Sequence, residues 1–209
     1  MPENTESPNA PRRIAALILA AGSSTRMGGQ NKLLAELEGI PVVAWVVSAV
    51  LSSQAKPVIV LTGHEAEQIR RALASYDVEF VHNSRYAHGI STSLQRGLTT
   101  LPADIDGVLV CLGDMPGITV AHIDRIVSNF NPAKGCAICV PTCKGKRGNP
   151  VLWDKRFFAE MNELSGDVGA RHLISKHAAL VCEVEIGDEA ILTDVDKSED
   201  LISLRHAHK

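Results

Sequence analysis

From Ile14 to Ala20 the chain reads IAALILA, seven apolar residues in a row. The same texture returns in PVIVLT (57–62), VEFVH (78–82), GVLVCLG (107–113), CAICVP (136–141) and ALVCEVEI (179–186). Short runs of this kind, rich in β-branched residues and poor in polar alternation, predict strands buried on both faces. Between them, PVVAWVVSAVLSS (41–53), EAEQIRRALAS (65–75), STSLQRGLTTL (91–101) and TVAHIDRIVSNF (119–130) carry apolar residues at helical spacing. The alternation predicts an α/β fold, a mostly parallel sheet with helices on both faces. Right-handed crossovers then gather the loops after the strands at one edge of the sheet, where such folds bind ligands.

Composition narrows the reading without changing it. With 209 residues the chain can bury a full core, and 21 basic against 24 acidic residues give a net charge of −3. No global positive field is present, so nucleic acid is not the expected partner and any anion site must be local. The apolar runs fall far short of the roughly 20 residues of a membrane span, and MPENTESPNAPRR lacks the apolar core of a signal peptide. Residues 1–13 therefore read as a frayed tail, 14–205 as a single domain, and the cytoplasm as the expected compartment. Five cysteines, an odd number, predict free thiols rather than a disulfide framework. Cys136, Cys139 and Cys143 lie close together, but a closed metal cluster wants a fourth ligand. Neither Cys111 nor Cys182 forms a recognisable pair with that run, so buried apolar cysteine is the better reading.

Candidate chemistry lies in the loops. LILAAGSSTRMGGQNKLL (17–34) runs from strand into a loop with Gly22, Gly28 and Gly29, whose backbone can close on an anion, while Arg26 and Lys32 add charge. Neither G-x-G-x-x-G nor G-K-[ST] is present, so the alternatives are an anion site of another design or an ordinary surface loop. In LGDMPGIT, Asp114 stands just past a central strand, a hard oxygen suited to Mg²⁺; the competing role of helix N-cap falls more naturally to Thr119. Asp194 and Asp196 in TDVDKSEDL either complete a metal site or cap a helix opening near Ser198.

The opening segment is similar to the L-A-A-G-x-S-x-R-M-G…K signature of the small-molecule nucleotidyltransferases, and LGDMPGI resembles their metal-binding G-D-x-P. GHEAEQI, NSRYAHGISTSLQRGL, RGNPVLW, GDVGARHLI and DVDKSEDL resemble, in order, segments of the branch that makes molybdenum cofactor dinucleotides, so the likeness runs from about Ile14 to Leu204. It implies a Rossmann-like three-layer α/β/α sandwich and transfer of CMP from CTP to the terminal phosphate of molybdenum cofactor, with release of pyrophosphate. The nucleotide would lie over Leu19, Ala20, Ala21 and Gly22. Arg26 and Lys32 would neutralise the triphosphate, and Asp114 with Asp196 would hold Mg²⁺ or Mn²⁺. Asp196 rather than Asp194 matches the second acidic position, and Lys197-Ser198 replaces the family's Thr-Pro there.

Ala20-Ala21-Gly22 matches the L-A-A-G of the pyrimidine-using branches rather than the L-A-G-G of the guanylyl branch, which favours CTP. His64, Asn83, Gly89, Ser91 and Ser93 would complete the nucleotide pocket, unless the two serines cap a helix instead. Arg147, Asn149, Asp167 and Arg171 would line the cofactor side, where Arg171 is equally a plain helix charge. His88, His122, His172, His177, His206 and His208 show no ligand spacing. Two further readings stay open. One is a sibling enzyme using GTP or another small phosphorylated acceptor; the other is a catalytically silent carrier that hands the cofactor to a recipient molybdoenzyme or its chaperone.

Overall fold

The computed structural model describes residues 12–22, 31–196 and 200. In chain order its strands are β1 (Ile14–Ala20), β2 (Glu36–Leu37), β3 (Ile40–Pro41), β4 (Val58–Thr62), β5 (Glu79–His82), β6 (Gly107–Leu112), β7 (Ile138–Cys143), β8 (Lys146–Arg147), β9 (Val151–Asp154) and β10 (Val181–Glu185). Its helices are α1 (Val42–Ser52), α2 (Ala66–Ala72), α3 (Ile90–Leu98), α4 (Val120–Asn129), α5 (Phe158–Asn162) and α6 (Arg171–Lys176). Residues 1–11, Arg26, Gly28, Gly29, Ser198, His206 and His208 lie outside the described residues. Arg12 and Arg13, expected in the tail, are anchored. The Arg12 guanidinium donates to the Phe130 carbonyl (3.0 Å), and the Arg13 amide donates to Asp106 (3.0 Å).

The main sheet runs β10-β7-β9-β6-β1-β4-β5, with β8 paired to β7. β6, β1, β4 and β5 are parallel to one another and β10 is parallel to β7, but β9 runs antiparallel to both its neighbours. The α/β architecture expected from the alternation of runs is what forms. Its layers follow from the two-residue period of a strand. Ile14, Ala16, Ile18 and Ala20 of β1 enter a core with Val43 and Val47 of α1, Ile69 of α2 and Ile123 of α4. Leu17 enters the opposite core with Leu94 of α3, Met161 of α5 and Leu173 of α6. A third, small cluster of Leu37, Val42 and Val195 lies under the β2–β3 hairpin, whose turn uses positive φ at Glu38 and Gly39.

Two expectations need correction. The strand expected over 136–141 starts two residues later, because Cys136 and Asn131 exchange backbone hydrogen bonds (3.0 Å each way) that turn the chain just before β7. The cysteines are also not all free: Cys136 and Cys182 form a disulfide, with Cα atoms 5.0 Å apart. Parallel pairing sets Cys182 opposite Cys139 and so brings it within reach of Cys136. Cys111, Cys139 and Cys143 are free and buried, and burial pushes the Cys139 thiol up to about 12. Among the described residues, no helix is long and apolar enough to cross a membrane.

Candidate functional site

β1 and β6 pair as far as Leu19 and Leu112, and the Gly113 amide closes the ladder on the Leu19 carbonyl (3.0 Å). Asp114 follows at once. It is not needed as a helix cap, because Thr119 caps α4 and shares a reciprocal capping pair with His122. Opposite it, Asn31 caps a short 3₁₀ turn that begins at Lys32. The Lys32 ammonium lies 2.6 Å from Asp114 Oδ2 and 2.9 Å from Asp196 Oδ1. Asp196 is delivered from the far end of the chain, where the Val195 amide donates to the Asp114 carbonyl (2.8 Å).

Charge follows this geometry. Burial alone would pull Lys32 down, but Asp114 and Asp196 outweigh it and hold the ammonium above its ordinary range. Asp194 next door is held above its ordinary range by desolvation and then by the charges of Asp114 and Asp196. Asp114 Oδ1 is buried and has no hydrogen-bond partner among the described residues. An unpaired buried carboxylate oxygen costs free energy unless a cation or donor meets it, and a second carboxylate stands one ammonium away. This donor set fits a hard divalent cation of the Mg²⁺ type, which takes one or two carboxylates and completes its shell from phosphates and water. Among the described residues no group of three or more His, Cys, Asp or Glu is placed to hold a metal ion; Asp114 and Asp196 are the two carboxylates that meet Lys32.

Beside this cluster, on the α3 side of the sheet, lies a cleft of about 900 Å³. Its floor is apolar, with Leu19, Val110, Val140 and Trp153, and its rim is basic, with Lys146, Arg147 and Arg171. A cleft with an apolar floor and charged rim, joined to a carboxylate pair and a lysine at the carboxyl ends of parallel strands, is what a nucleotide and a second substrate would need. Residues 16–180 match the family described as the MobA-like NTP transferase domain. The chain belongs to that family.

Full-length relatives of this MobA-like chain include nicotine blue oxidoreductase of Paenarthrobacter nicotinovorans, 26% identical over 91% of this chain and 96% of the relative. Another is purine catabolism protein PucB of Bacillus subtilis, 27% identical over 93% and 97%. Among solved structures, Rv0371c of Mycobacterium tuberculosis superposes with a TM-score of 0.82 at 25% identity, covering 94% of this chain and all of that one. The bifunctional GlmU of Trichlorobacter lovleyi is 31% identical over 62% of this chain, which spans 28% of that longer protein.

Within the MobA-like frame, the expected residues other than Arg26, which lies outside the described residues, can be located. Ala20 points into the core and offers only backbone to a nucleotide, and Gly22 opens on space where an added Cβ would meet nothing. The Ala21 methyl lies beside Gly63, where an added Cβ would stand 2.8 Å from it and 2.6 Å from the Tyr86 Cβ. His64 is pinned to the same edge by its amide, which donates to the Ala21 carbonyl (3.2 Å), and its ring lies 6.1 Å from that of Tyr86. Asn83 is committed to the fold: its amide group donates to Thr92 and Ser93 (2.9 Å each) and its carbonyl accepts from the Arg85 amide. Ser93 is thus an acceptor for Asn83. Ser91 is buried, with its hydroxyl unpartnered among the described residues. Neither serine caps α3; that position belongs to Gly89, whose φ of +104° suits glycine.

Arg147, Asn149, Asp167 and Arg171, expected on the acceptor side, all line the cleft. The side chains of two of them have hydrogen-bond partners within the fold. Arg147 Nε donates to Glu183 of β10 (2.8 Å), and Asp167 Oδ1 accepts from the first amide of α3 at Ile90 (3.2 Å). Trp153, Lys146 and Tyr86 were not singled out from the sequence. Trp153 carried a signal, as the one large aromatic in RGNPVLW, whereas Lys146 and Tyr86 are placed by loop geometry that no local pattern encodes.

Proposed function

We propose that this chain transfers a nucleotidyl group from a nucleoside triphosphate to a small phosphorylated acceptor held in the cleft. The observation that carries the reading is Lys32 clasped between Asp114 and Asp196 at the carboxyl edge of β1 and β6, with Asp114 Oδ1 unpartnered among the described residues. Asp114 and Asp196 would hold Mg²⁺ or Mn²⁺, which when bound neutralises phosphate charge. A manganese complex of Rv0371c, at 23% identity and a TM-score of 0.74, has the same fold and supports this choice of ion. Lys32, released from its carboxylates, and Arg26 would meet the triphosphate oxygens. A phosphate oxygen of the acceptor then bonds to the α-phosphorus, the bond from that phosphorus to the bridging oxygen breaks, and pyrophosphate leaves. Such a reaction asks the protein mainly for alignment and charge neutralisation.

Within that reading, L-A-A-G favours CTP, and the ordered motifs favour molybdenum cofactor as acceptor. The basic rim of Lys146, Arg147 and Arg171 suits an anionic acceptor, and the apolar floor suits a flat ring system. GTP or another phosphorylated acceptor fits the same machinery. The test incubates the protein with Mg²⁺, molybdenum cofactor and each of the four NTPs in turn, and follows pyrophosphate release and product mass. The cytosine dinucleotide is the expected product, absent with Asp114→Asn. A different dinucleotide would keep the reaction and replace the nucleotide. Absence of pyrophosphate release with every NTP, across molybdenum cofactor, sugar phosphates and other phosphorylated acceptors, would overturn the enzyme reading in favour of a carrier.

A further inference from the structure

The second carboxylate stands on a stretch without helix or strand, and something must fix its direction. In Asp194-Val195-Asp196 the middle side chain is fully buried, while Asp194 is exposed and Asp196 half-buried. Val195 packs with Leu37 and Val42 in the small cluster under the β2–β3 hairpin, with Ala35 and Trp45 against it. Its amide is fixed to the Asp114 carbonyl at 2.8 Å. The same cluster anchors the chain just after Lys32, because Leu37 lies five residues on and the Val42 amide donates to the Ala35 carbonyl (2.9 Å). Two residues 164 positions apart in sequence, Lys32 and Asp196, are therefore indexed to one another through a patch of apolar side chains as well as through their own 2.9 Å contact.

We propose that Val195 is a positioning residue for the cation site: its burial against Leu37 and Val42 turns the Asp196 carboxylate toward Lys32 and Asp114. This rests on the reading that Asp114 and Asp196 hold a divalent cation. An extended backbone alternates its side chains, so seating residue 195 in the cluster directs its neighbours outward. Loosening the seat lets Asp196 sample directions that do not face Asp114. Residues that orient metal ligands without touching the metal typically change its affinity about tenfold or more.

The test titrates Mn²⁺ into the full-length protein without nucleotide and reads free Mn²⁺ by electron paramagnetic resonance. Val195→Ala is expected to weaken binding about tenfold and Val195→Ile to restore it. Val47→Ala removes the same atoms from a fully buried site in α1, and is expected to lower the melting temperature while leaving Mn²⁺ affinity unchanged. Asp114→Asn and Asp196→Asn separate the two levels of the claim. If both lose Mn²⁺ binding and Val195→Ala keeps it, the positioning role is overturned and the cation site stands. If neither loses it, the cation site fails and the positioning role with it. Should Val195→Ala not fold, Leu37→Val thins the same contact from the opposite side and is read in the same way.

Discussion

Lys32 is the most informative position to perturb, because its ammonium sits where the proposed cation chemistry needs positive charge. Replacing it with Met keeps the stem and removes the charge, leaving Asp114, Asp194 and Asp196 facing one another. Two contacts of 2.6 and 2.9 Å each represent about 6 kcal/mol of Coulomb attraction at an effective dielectric near 20, most of it offset by desolvation. Breaking a well-buried pair from one side costs about 3–5 kcal/mol. Here the side chains of Lys32 and Asp114 are 18% and 16% exposed and that of Asp196 is 37%, so solvent screening reduces the expected loss to about 2 kcal/mol. For a chain of this size that is a fall in Tm of roughly 4–8 °C.

The assay is thermal unfolding at pH 7.5 in chelator and again in saturating Mg²⁺ or Mn²⁺. The divalent ion should restore most of the loss in Lys32→Met, because it takes over the neutralising role. In the wild type, a lysine held above its ordinary pKa stabilises fully below its unfolded value near 10.5, and that contribution is lost as pH rises through the folded value. The wild-type contribution should therefore be flat across neutral pH. A Lys32→Met protein with the wild-type Tm in chelator, or one whose loss no divalent ion reverses, would refute the reasoning.

Ala21→Gly should shift the product ratio in an equimolar CTP and GTP competition toward GTP by about tenfold, since one methyl beside the proposed base pocket is worth about 1–2 kcal/mol of exclusion; an unchanged ratio would remove Ala21 from nucleotide choice. Gly148→Ala should lower Tm by several degrees, because a Cβ there would overlap the Ile191 carbonyl oxygen, which also accepts from the Asn149 amide. Thiol titration should find no reactive cysteine in the native protein, three after denaturation and five after denaturation with reductant, and two reactive thiols in the native protein would contradict the Cys136–Cys182 pairing.

The parts of the fold that were legible in the sequence are those whose environment is set locally. IAALILA coincides with β1 because a strand covered on both faces must be apolar at every position, and Thr119 was readable as a cap because capping is decided within four residues. β9 escaped notice because four residues following Gly-Asn-Pro look like the end of a turn. The disulfide escaped because Cys136 and Cys182 lie 46 residues apart and meet only through the β7–β10 pairing. At the candidate site, residue types were legible and their company was not. Asp114, Asp196 and Lys32 were identifiable by type and motif, but nothing local says that the lysine rests on both carboxylates. Nor does any local signal show Asp167 serving α3.

The reversed direction of β9 has a consequence for how such a protein can change. Val151, at its start, pairs with Val110 near the end of β6, so the short link from β8 arrives at the rim that the parallel strands reach with their ends. In the proposed reaction, the nucleotide side of that rim is written by what leaves a strand, and the acceptor side by what enters one. Residues 144–150 could therefore be exchanged as a cassette that keeps glycine at 148, altering the proposed acceptor contacts at Arg147 and Asn149 while every loop around Lys32 and Asp114 keeps its length. Lineages that retain the triphosphate chemistry but take up new acceptors would be expected to diverge first in that seven-residue entry to the strand.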